Sequence, residues 1–391
     1  MTKTDQYSDS YSEKKAEKFR LYKWISLALL VLFLLGGLIF FESDITMENL
    51  RYLIKYLEFS GIGSYSEDVV IHYNADSSNR FYVFRGDMAR VNERTITLYD
   101  RRGAIVMTDS FKMTRPVAVC GEKYLAVYDL GGHQLRIYNS FTMLHEKNFD
   151  YPLQSVHMNR DGEICVVTSE KSYHSAVFVY NRDFEEIHRW LTADRFAMDA
   201  HLTDNDRITI TTVRALEGSL ISELMEIKIG EKEAENVYAM TDQLPMMHST
   251  DPLGTLLLSD RALKFIQNGE EIRSFSFEEG SVEMASFGDR YCAVLQDDLF
   301  VGVNFRLRIF NREGSEVASE SFSVQVRDVE VYGENVYVLT HTQLIVLTPG
   351  ESTAYYDLAE DCSDLGVLSD NTVLLCSDTF AGIRILNHGE Q

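Results

Sequence analysis

From about residue 95 onward the chain repeats one local pattern. A run of four or five mostly apolar residues ends in an aromatic or aliphatic side chain, and an Asn or Asp follows in the best copies. The clear copies are Ile96-Thr97-Leu98-Tyr99-Asp100, Leu135-Arg136-Ile137-Tyr138-Asn139, Val177-Phe178-Val179-Tyr180-Asn181 and Leu307-Arg308-Ile309-Phe310-Asn311. Leu263-Lys264-Phe265-Ile266-Gln267, Leu344-Ile345-Val346-Leu347-Thr348 and Ile383-Arg384-Ile385-Leu386-Asn387 are weaker, and Met225-Glu226-Ile227-Lys228-Ile229 is degraded. The pattern returns roughly every 40 residues, the period of a propeller blade. Upstream in each unit lies an apolar run without strict alternation, as at Tyr124-Leu125-Ala126-Val127-Tyr128, Ile164-Cys165-Val166-Val167, Tyr291-Cys292-Ala293-Val294-Leu295 and Val336-Tyr337-Val338-Leu339. Such runs suit inner strands buried on both faces. Downstream, Ser315-Glu316-Val317-Ala318-Ser319-Glu320-Ser321-Phe322 alternates, as an outer strand with one wet face does. Asp100-Arg101-Arg102-Gly103 and Asn311-Arg312-Glu313-Gly314 mark turns between the last two strands.

This pattern predicts an all-β chain folded as a β-propeller of eight blades, with seven as the alternative because the fourth copy is poor. The eighth repeat reaches Gln391 just after its third strand, while Asp68-Val69-Val70-Ile71-His72-Tyr73 precedes the first blade without a blade of its own. The expectation is that this N-terminal strand completes the last blade and hides an otherwise open edge.

The N-terminal part has a different pattern. Residues 24–41 form an unbroken apolar stretch with no charge and one hydroxyl, Ser26. At ~1.5 Å rise per residue it matches the thickness of a hydrocarbon core. No small-x-small cleavage site follows, so the stretch reads as an uncleaved signal-anchor. Lys14, Lys15, Lys18, Arg20 and Lys23 precede it, and Glu42, Asp44 and Glu48 follow it. The positive-inside rule then places residues 1–23 in the cytoplasm and the rest outside the cell membrane, as a single-pass protein. Residues 42–64 read as a short amphipathic juxtamembrane helix and linker. Thr46 is its cap, Leu50, Leu53, Ile54 and Leu57 share one face, and Phe59-Ser60-Gly61-Ile62-Gly63-Ser64 breaks it. Residues 65–391 are left as the extracytoplasmic propeller.

Charge sharpens this division. The net charge of -23 excludes a nucleic-acid partner, which would require a basic footprint. Split at the apolar stretch, it becomes +2 for residues 1–23 and -25 for the remainder. The negative charge belongs to the propeller, where it aids solubility.

Candidate chemistry is sparse. The five Cys include no Cys-x-x-Cys pair, and most lie in apolar strands as buried thiols; Cys362 and Cys376 are the pair adjacent strands would bring together. The ten His are scattered without a metal-binding frame, so no metal ligand is assigned. Asn159-Arg160-Asp161-Gly162 and Asp204-Asn205-Asp206 lack the full calcium-loop set and read as turns. Ser369-Asp370-Asn371 lacks its companion Lys-Thr-Gly and also reads as a turn. No catalytic or cofactor-binding motif is present, so neither an enzyme nor a cofactor is expected. The loops joining second to third strands would line one rim, which makes Asp129, Gly131, Gly132, Tyr173, His174, Arg214, Asp297, Asp298, Phe300, Asp378 and Phe380 the candidate partner-binding residues.

The apolar stretch, Glu48-Asn49-Leu50-Arg51-Tyr52-Leu53-Ile54-Lys55-Tyr56-Leu57 and Tyr124-Leu125-Ala126-Val127-Tyr128-Asp129-Leu130-Gly131-Gly132 resemble a bacterial domain-of-unknown-function family of membrane-anchored propeller proteins from Clostridia-like Firmicutes. The resemblance implies an anchored propeller and says nothing of a reaction. The repeat is also similar, broadly, to quinoprotein-alcohol-dehydrogenase-like propellers. Those enzymes carry Trp-containing docking repeats, whereas this chain has only Trp24 and Trp190, and WD-type repeats are equally absent. The expected function is a membrane-anchored extracytoplasmic binding or scaffold protein that engages a protein or cell-envelope ligand on a rim. The alternatives are a degenerate quinoprotein-like oxidoreductase or another enzyme with a site built from distant loops, and a surface sensor.

Overall fold

The computed structural model describes residues 69–386 apart from 76–77, 204–205, 279–280 and 298–303, together with Leu29 and Leu32. The predicted signal-anchor and juxtamembrane helices lie outside the described residues, except that Leu29 and Leu32 are helical and exposed. No helix among the described residues is long and apolar enough to cross a membrane.

The described chain forms eight four-stranded antiparallel sheets, the blades of a propeller. Blade 1 comprises Arg80–Phe84, Asp87–Val91, Thr95–Tyr99 and Ile105–Ser110, and blade 2 Pro116–Cys120, Leu125–Asp129, Gln134–Tyr138 and Met143–Asn148. Blade 3 comprises Ser155–Met158, Ile164–Glu170, Tyr173–Tyr180 and Glu186–Thr192, and blade 4 Phe196–Thr203, Arg207–Leu216, Ser219–Lys228 and Asn236–Thr241. Blade 5 follows with Pro245–Asp251, Gly254–Ser259, Ala262–Gln267 and Glu270–Ser276, and blade 6 with Val282–Phe287, Tyr291–Asp297, Phe305–Asn311 and Glu316–Phe322. Blade 7 holds Val326–Tyr332, Asn335–Thr340, Gln343–Leu347 and Ala354–Asp357. Blade 8 takes Asp364–Ser369, Thr372–Cys376 and Phe380–Ile385 from the C-terminal end and its fourth strand, Val70–His72, from the N-terminal end. The eight-blade reading and the N-terminal closure therefore hold, and the degraded fourth copy is a complete blade with two ten-residue strands.

The repeated Asn or Asp has a local physical cause. It ends the third strand, and its side-chain oxygen takes up the free backbone N–H groups of the turn into the fourth. Asp100 Oδ1 accepts from the N–H of Arg102 and Ala104, Asn139 Oδ1 from Phe141 and Thr142, and Asn181 Oδ1 from Asp183 and Glu185. Asn311 Oδ1 accepts from Ser315. Asn159 Oδ1 likewise accepts from Glu163 in a first-to-second-strand turn, as the turn reading of that segment expects.

The unbroken apolar runs are the second strands of their blades. Leu125–Asp129, Thr372–Cys376 and most of Asn335–Thr340 are buried throughout. They are not the innermost strands. Those are the first strands, which lie beside the first strands of neighbouring blades, as Ser155–Met158 does with Phe196–Thr203. Outer strands alternate as expected, for example Glu316–Phe322.

Apolar side chains pack face to face between adjacent blades rather than into one central core. Among the described residues, eight clusters fill the eight interfaces. Seven hold between eight and twelve buried residues. The interface of blades 4 and 5 holds four, Leu224, Met240, Leu257 and Ile266. A cavity of about 200 Å³ opens there, lined in part by Thr209, Thr250 and Thr255. All five cysteines are free thiols, and Cys362 and Cys376 are both buried without a bridge.

Candidate functional site

Because consecutive strands are antiparallel, the loops between second and third strands share one rim with the connections that enter each new blade. The remaining hairpins lie on the opposite rim. The structure places the described candidate residues at or beside the first of these rims, but several are occupied in holding the fold. Asp129 is buried, and its Oδ1 accepts the backbone N–H of Thr114 at 2.9 Å and of Arg115 at 2.8 Å, pinning the connection from blade 1. Gly131, at a φ of +79°, donates its N–H to Leu153 O, while Leu153 donates to Gly132 O at 2.7 Å, lacing the loop to the entry of blade 3. A Cβ on Gly132 would stand 2.1 Å from Asp129 Oδ2, so only glycine fits.

Arg214 Nη2 lies 3.0 Å from Glu223 Oε1, and Arg195 Nη1 lies 2.8 Å from Oε2 of the same buried carboxylate. Asp297 donates its backbone N–H to Ser281 O. Phe380 accepts a hydrogen bond from the Tyr73 hydroxyl at its carbonyl, within the closing hairpin. Asp378 stands exposed at the tip of that hairpin. Asp298 and Phe300 lie outside the described residues.

Two candidates take part in a larger feature. Tyr173 is 42% exposed, and the His174 ring rests on Phe196 with centroids 4.7 Å apart. Phe196, Met198, Leu216, Leu244, Met246 and Met247 are exposed on the same rim, from the exit of blade 3 to the entry of blade 5. Phe196 is 49% exposed and Met246 45%. Large exposed apolar side chains elsewhere among the described residues, such as Ile105, Ile272 and Tyr332, are spread over separate blades. Sequence reading missed most of this patch because it took only the second-to-third-strand loops and passed over the blade entries.

A second cluster lies on the inner strands. His157 of blade 3, His201 of blade 4 and His248 of blade 5 form a stack, with ring centroids 4.0 Å apart for the first pair and 3.9 Å for the second. Asp199, two residues before His201, has Oδ2 at 2.9 Å from His201 Nε2 and 3.7 Å from His248 Nδ1. Ser155 of blade 3 donates its hydroxyl to Asp199 Oδ1. The His248 side chain is wholly buried; its Nε2 meets Thr209 Oγ1 at 3.1 Å, and its Nδ1 has no hydrogen-bond partner. His157 Nδ1 is likewise buried without one.

The electrostatics follow from burial. Loss of water pushes the His248 imidazole down to about 3, with His201 adding to the effect, and holds His157 well below the usual histidine range. Burial opposes the charge on Asp199, but the hydrogen bonds it accepts from His201 and Ser155 favour the ionised form, and the carboxyl lies well below the ordinary range. The arrangement therefore sets an ionised carboxylate beside the neutral imidazole of His248.

The spacing of these histidines carries the signal that a motif search lacks. Each follows its predecessor by one blade repeat, and Ser286 of blade 6 and Glu330 of blade 7 continue the series. Ser286 Oγ accepts the backbone N–H of Val331, next to Glu330, and burial, then Asp328, raises the Glu330 carboxyl to about 7. Equivalent inner-strand positions of five consecutive blades are thus polar. A scan for ligands a few residues apart cannot find a cluster whose members stand one blade apart.

Comparison with known proteins places the fold. Residues 62–379 match the family described as "Family of unknown function (DUF5711)". No curated protein matches the chain. Among solved structures, BamB from Moraxella catarrhalis superposes with a TM-score of 0.54 at 9% identity, covering 81% of this chain and 98% of that one. Sqt1 from Saccharomyces cerevisiae gives a TM-score of 0.59 at 8% identity, covering 82% of this chain and 100% of that one. At such identities the likeness is one of fold. The family match spans most of the propeller and agrees with its blade pattern: the chain belongs to the DUF5711 family of unknown function.

Proposed function

We propose that this protein is a membrane-anchored, extracytoplasmic binding scaffold that engages a protein or cell-envelope ligand on the rim of blades 3 to 5. The observation that carries the reading is the apolar patch from Tyr173 to Met247 on one rim of a closed scaffold. Exposed apolar side chains concentrated on one surface mark interaction sites. Aromatic and Met side chains supply contact area and adapt to a partner. The rigid blades hold that surface fixed, and residues 24–41 supply the anchor. The acidic propeller favours a partner whose rim of contact is basic or neutral.

The test is photo-crosslinking of the full chain in its own membranes. A photoreactive residue at Phe196 or Met247 is expected to give a discrete adduct, and one at Tyr332 on the opposite rim none. Met246→Asp with Met247→Asp should lower recovery of that adduct at least about tenfold, as removal of a central apolar anchor does. Adducts of equal yield from both rims would sink the assignment.

A further inference from the structure

We propose that Asp199, His201 and His248 form a site for one borderline divalent transition-metal ion, of which Zn²⁺ is the representative, held on the inner strands of blades 4 and 5. The donor atoms come from a place no ligand motif describes, yet all lie within 4.8 Å of one another. Two imidazole nitrogens and one carboxylate oxygen are the donor set that suits Zn²⁺ and its neighbours rather than Ca²⁺ or Mg²⁺. Tetrahedral Zn²⁺ with bonds of about 2.0–2.2 Å needs donors roughly 3.3–3.5 Å apart. The observed separations from Asp199 Oδ2, 2.9 Å to His201 Nε2 and 3.7 Å to His248 Nδ1, bracket that value.

The second, independent observation is His248 Nδ1. It belongs to a side chain with no exposure, has no hydrogen-bond partner, and is aimed at a carboxylate oxygen. Thr209 Oγ1 at the opposite ring nitrogen accounts for the other end of the imidazole. In the tautomer whose Nε2 donates to Thr209, Nδ1 presents a lone pair to Asp199, and two acceptors then face one another. A cation between them satisfies both.

The surroundings match those of a built ligand set. Ser155 fixes the Asp199 carboxylate and Thr209 fixes the His248 ring, the outer-shell roles that orient metal ligands. His157, stacked on His201, limits that ring's rotation. Thr209 also lines the cavity between blades 4 and 5, so the site adjoins the least tightly filled blade interface. Three protein ligands leave a fourth position for water or a ligand atom.

The experiment uses the full chain in detergent, stripped with chelator and titrated with ZnCl₂ by calorimetry. One Zn²⁺ per chain is expected, with a rise in melting temperature, and CaCl₂ should produce neither. Asp199→Asn and His248→Gln should each weaken Zn²⁺ binding at least about 100-fold, and Ser155→Ala about 10- to 100-fold. His341→Ala, at an exposed histidine paired with Asp361, should leave it unchanged. If the ligand variants fail to fold, the Co²⁺-loaded wild-type chain keeps the test open. Intense visible d–d bands of a four-coordinate site are expected, and their absence overturns the proposal. So does a wild-type chain without saturable Zn²⁺ binding, or equal affinity in wild type and in a folded Asp199→Asn variant; either result leaves the cluster a purely structural polar stack.

Discussion

Replacing Ile71 with Asp is expected to open the propeller. Ile71 is the buried middle residue of Val70–His72, the strand that completes blade 8, and it is only 6% exposed. Its partners in the ladder are Val70 with Gly382, Ile71 with Ala381 and His72 with Phe380. Its side chain packs with Met88 and Tyr99 of blade 1 and with Leu374, Cys376 and Ile383 of blade 8, so one residue ties both ends of the ring. Gly103 lets the blade 1 turn approach closely: a Cβ there would lie 3.2 Å from Ile71 Cγ1. Tyr73 reinforces the closure, its one hydroxyl proton shared between the carbonyls of Phe380 and Ser377. Truncating a buried Ile costs about 2–5 kcal/mol, and a carboxylate without a partner adds to that. The Ile71→Asp chain should lose at least about 4 kcal/mol in urea unfolding and expose the edge of Phe380–Ile385, which invites self-association visible by size-exclusion chromatography. Val70→Asp, one residue away on the exposed face, should shift stability by less than about 1 kcal/mol. Equal effects at the two positions would contradict the closure.

The second expected result concerns pH. Glu330→Gln should stabilise the chain, and the gain should grow with pH. Burial lifts the folded-state carboxyl from 4.5 to about 7. Below about pH 4.5 the group is protonated in folded and unfolded chains alike, and it makes no difference. Between the two values the unfolded chain releases a proton that the folded chain retains, so folding loses stability as pH rises, reaching its full cost above about pH 7. At roughly 1.4 kcal/mol per unit, the cost is at most about 3.5 kcal/mol. Glutamine has nearly the same shape and carries no charge to bury. Urea unfolding of both chains at pH 5 and pH 8 checks this. A difference that does not change between those values would show that the Glu330 side chain is not the titrating group.

Fold and site differ in how far the sequence discloses them, and the reason lies in which strands carry the pattern. The third strands repeat Tyr or Phe and then Asn or Asp because each ends in a turn with unpaired N–H groups to satisfy, as at Asp100 and Asn139. The second strands repeat unbroken apolar runs because both faces meet neighbouring blades. These two signals suffice to count blades and to place Ile71 in the last one. The first strands carry neither signal. They are mixed in composition, as in Ser155–Met158 and Phe196–Thr203, and their inward side chains answer to the ring of blades rather than to a local turn. His157, His201 and His248 therefore look scattered in sequence while being stacked in space. The loop candidates illustrate the reverse. Asp129 and Gly132 stand out in sequence as turn residues, and the structure accounts for them by backbone capping and close approach.

The claim on which the functional reading rests is the sidedness of the chain, and thiol labelling of intact cells tests it most directly. Four of the native cysteines are buried and the half-buried Cys120 is pushed up to about 12 by burial, so none competes for reagent in the folded chain. A membrane-impermeant maleimide applied to cells producing the full chain is predicted to label Asp378→Cys on the rim before lysis. Ser8→Cys in the N-terminal tail should be labelled only afterwards. Labelling of Ser8→Cys in intact cells, with Asp378→Cys protected until lysis, would contradict the account.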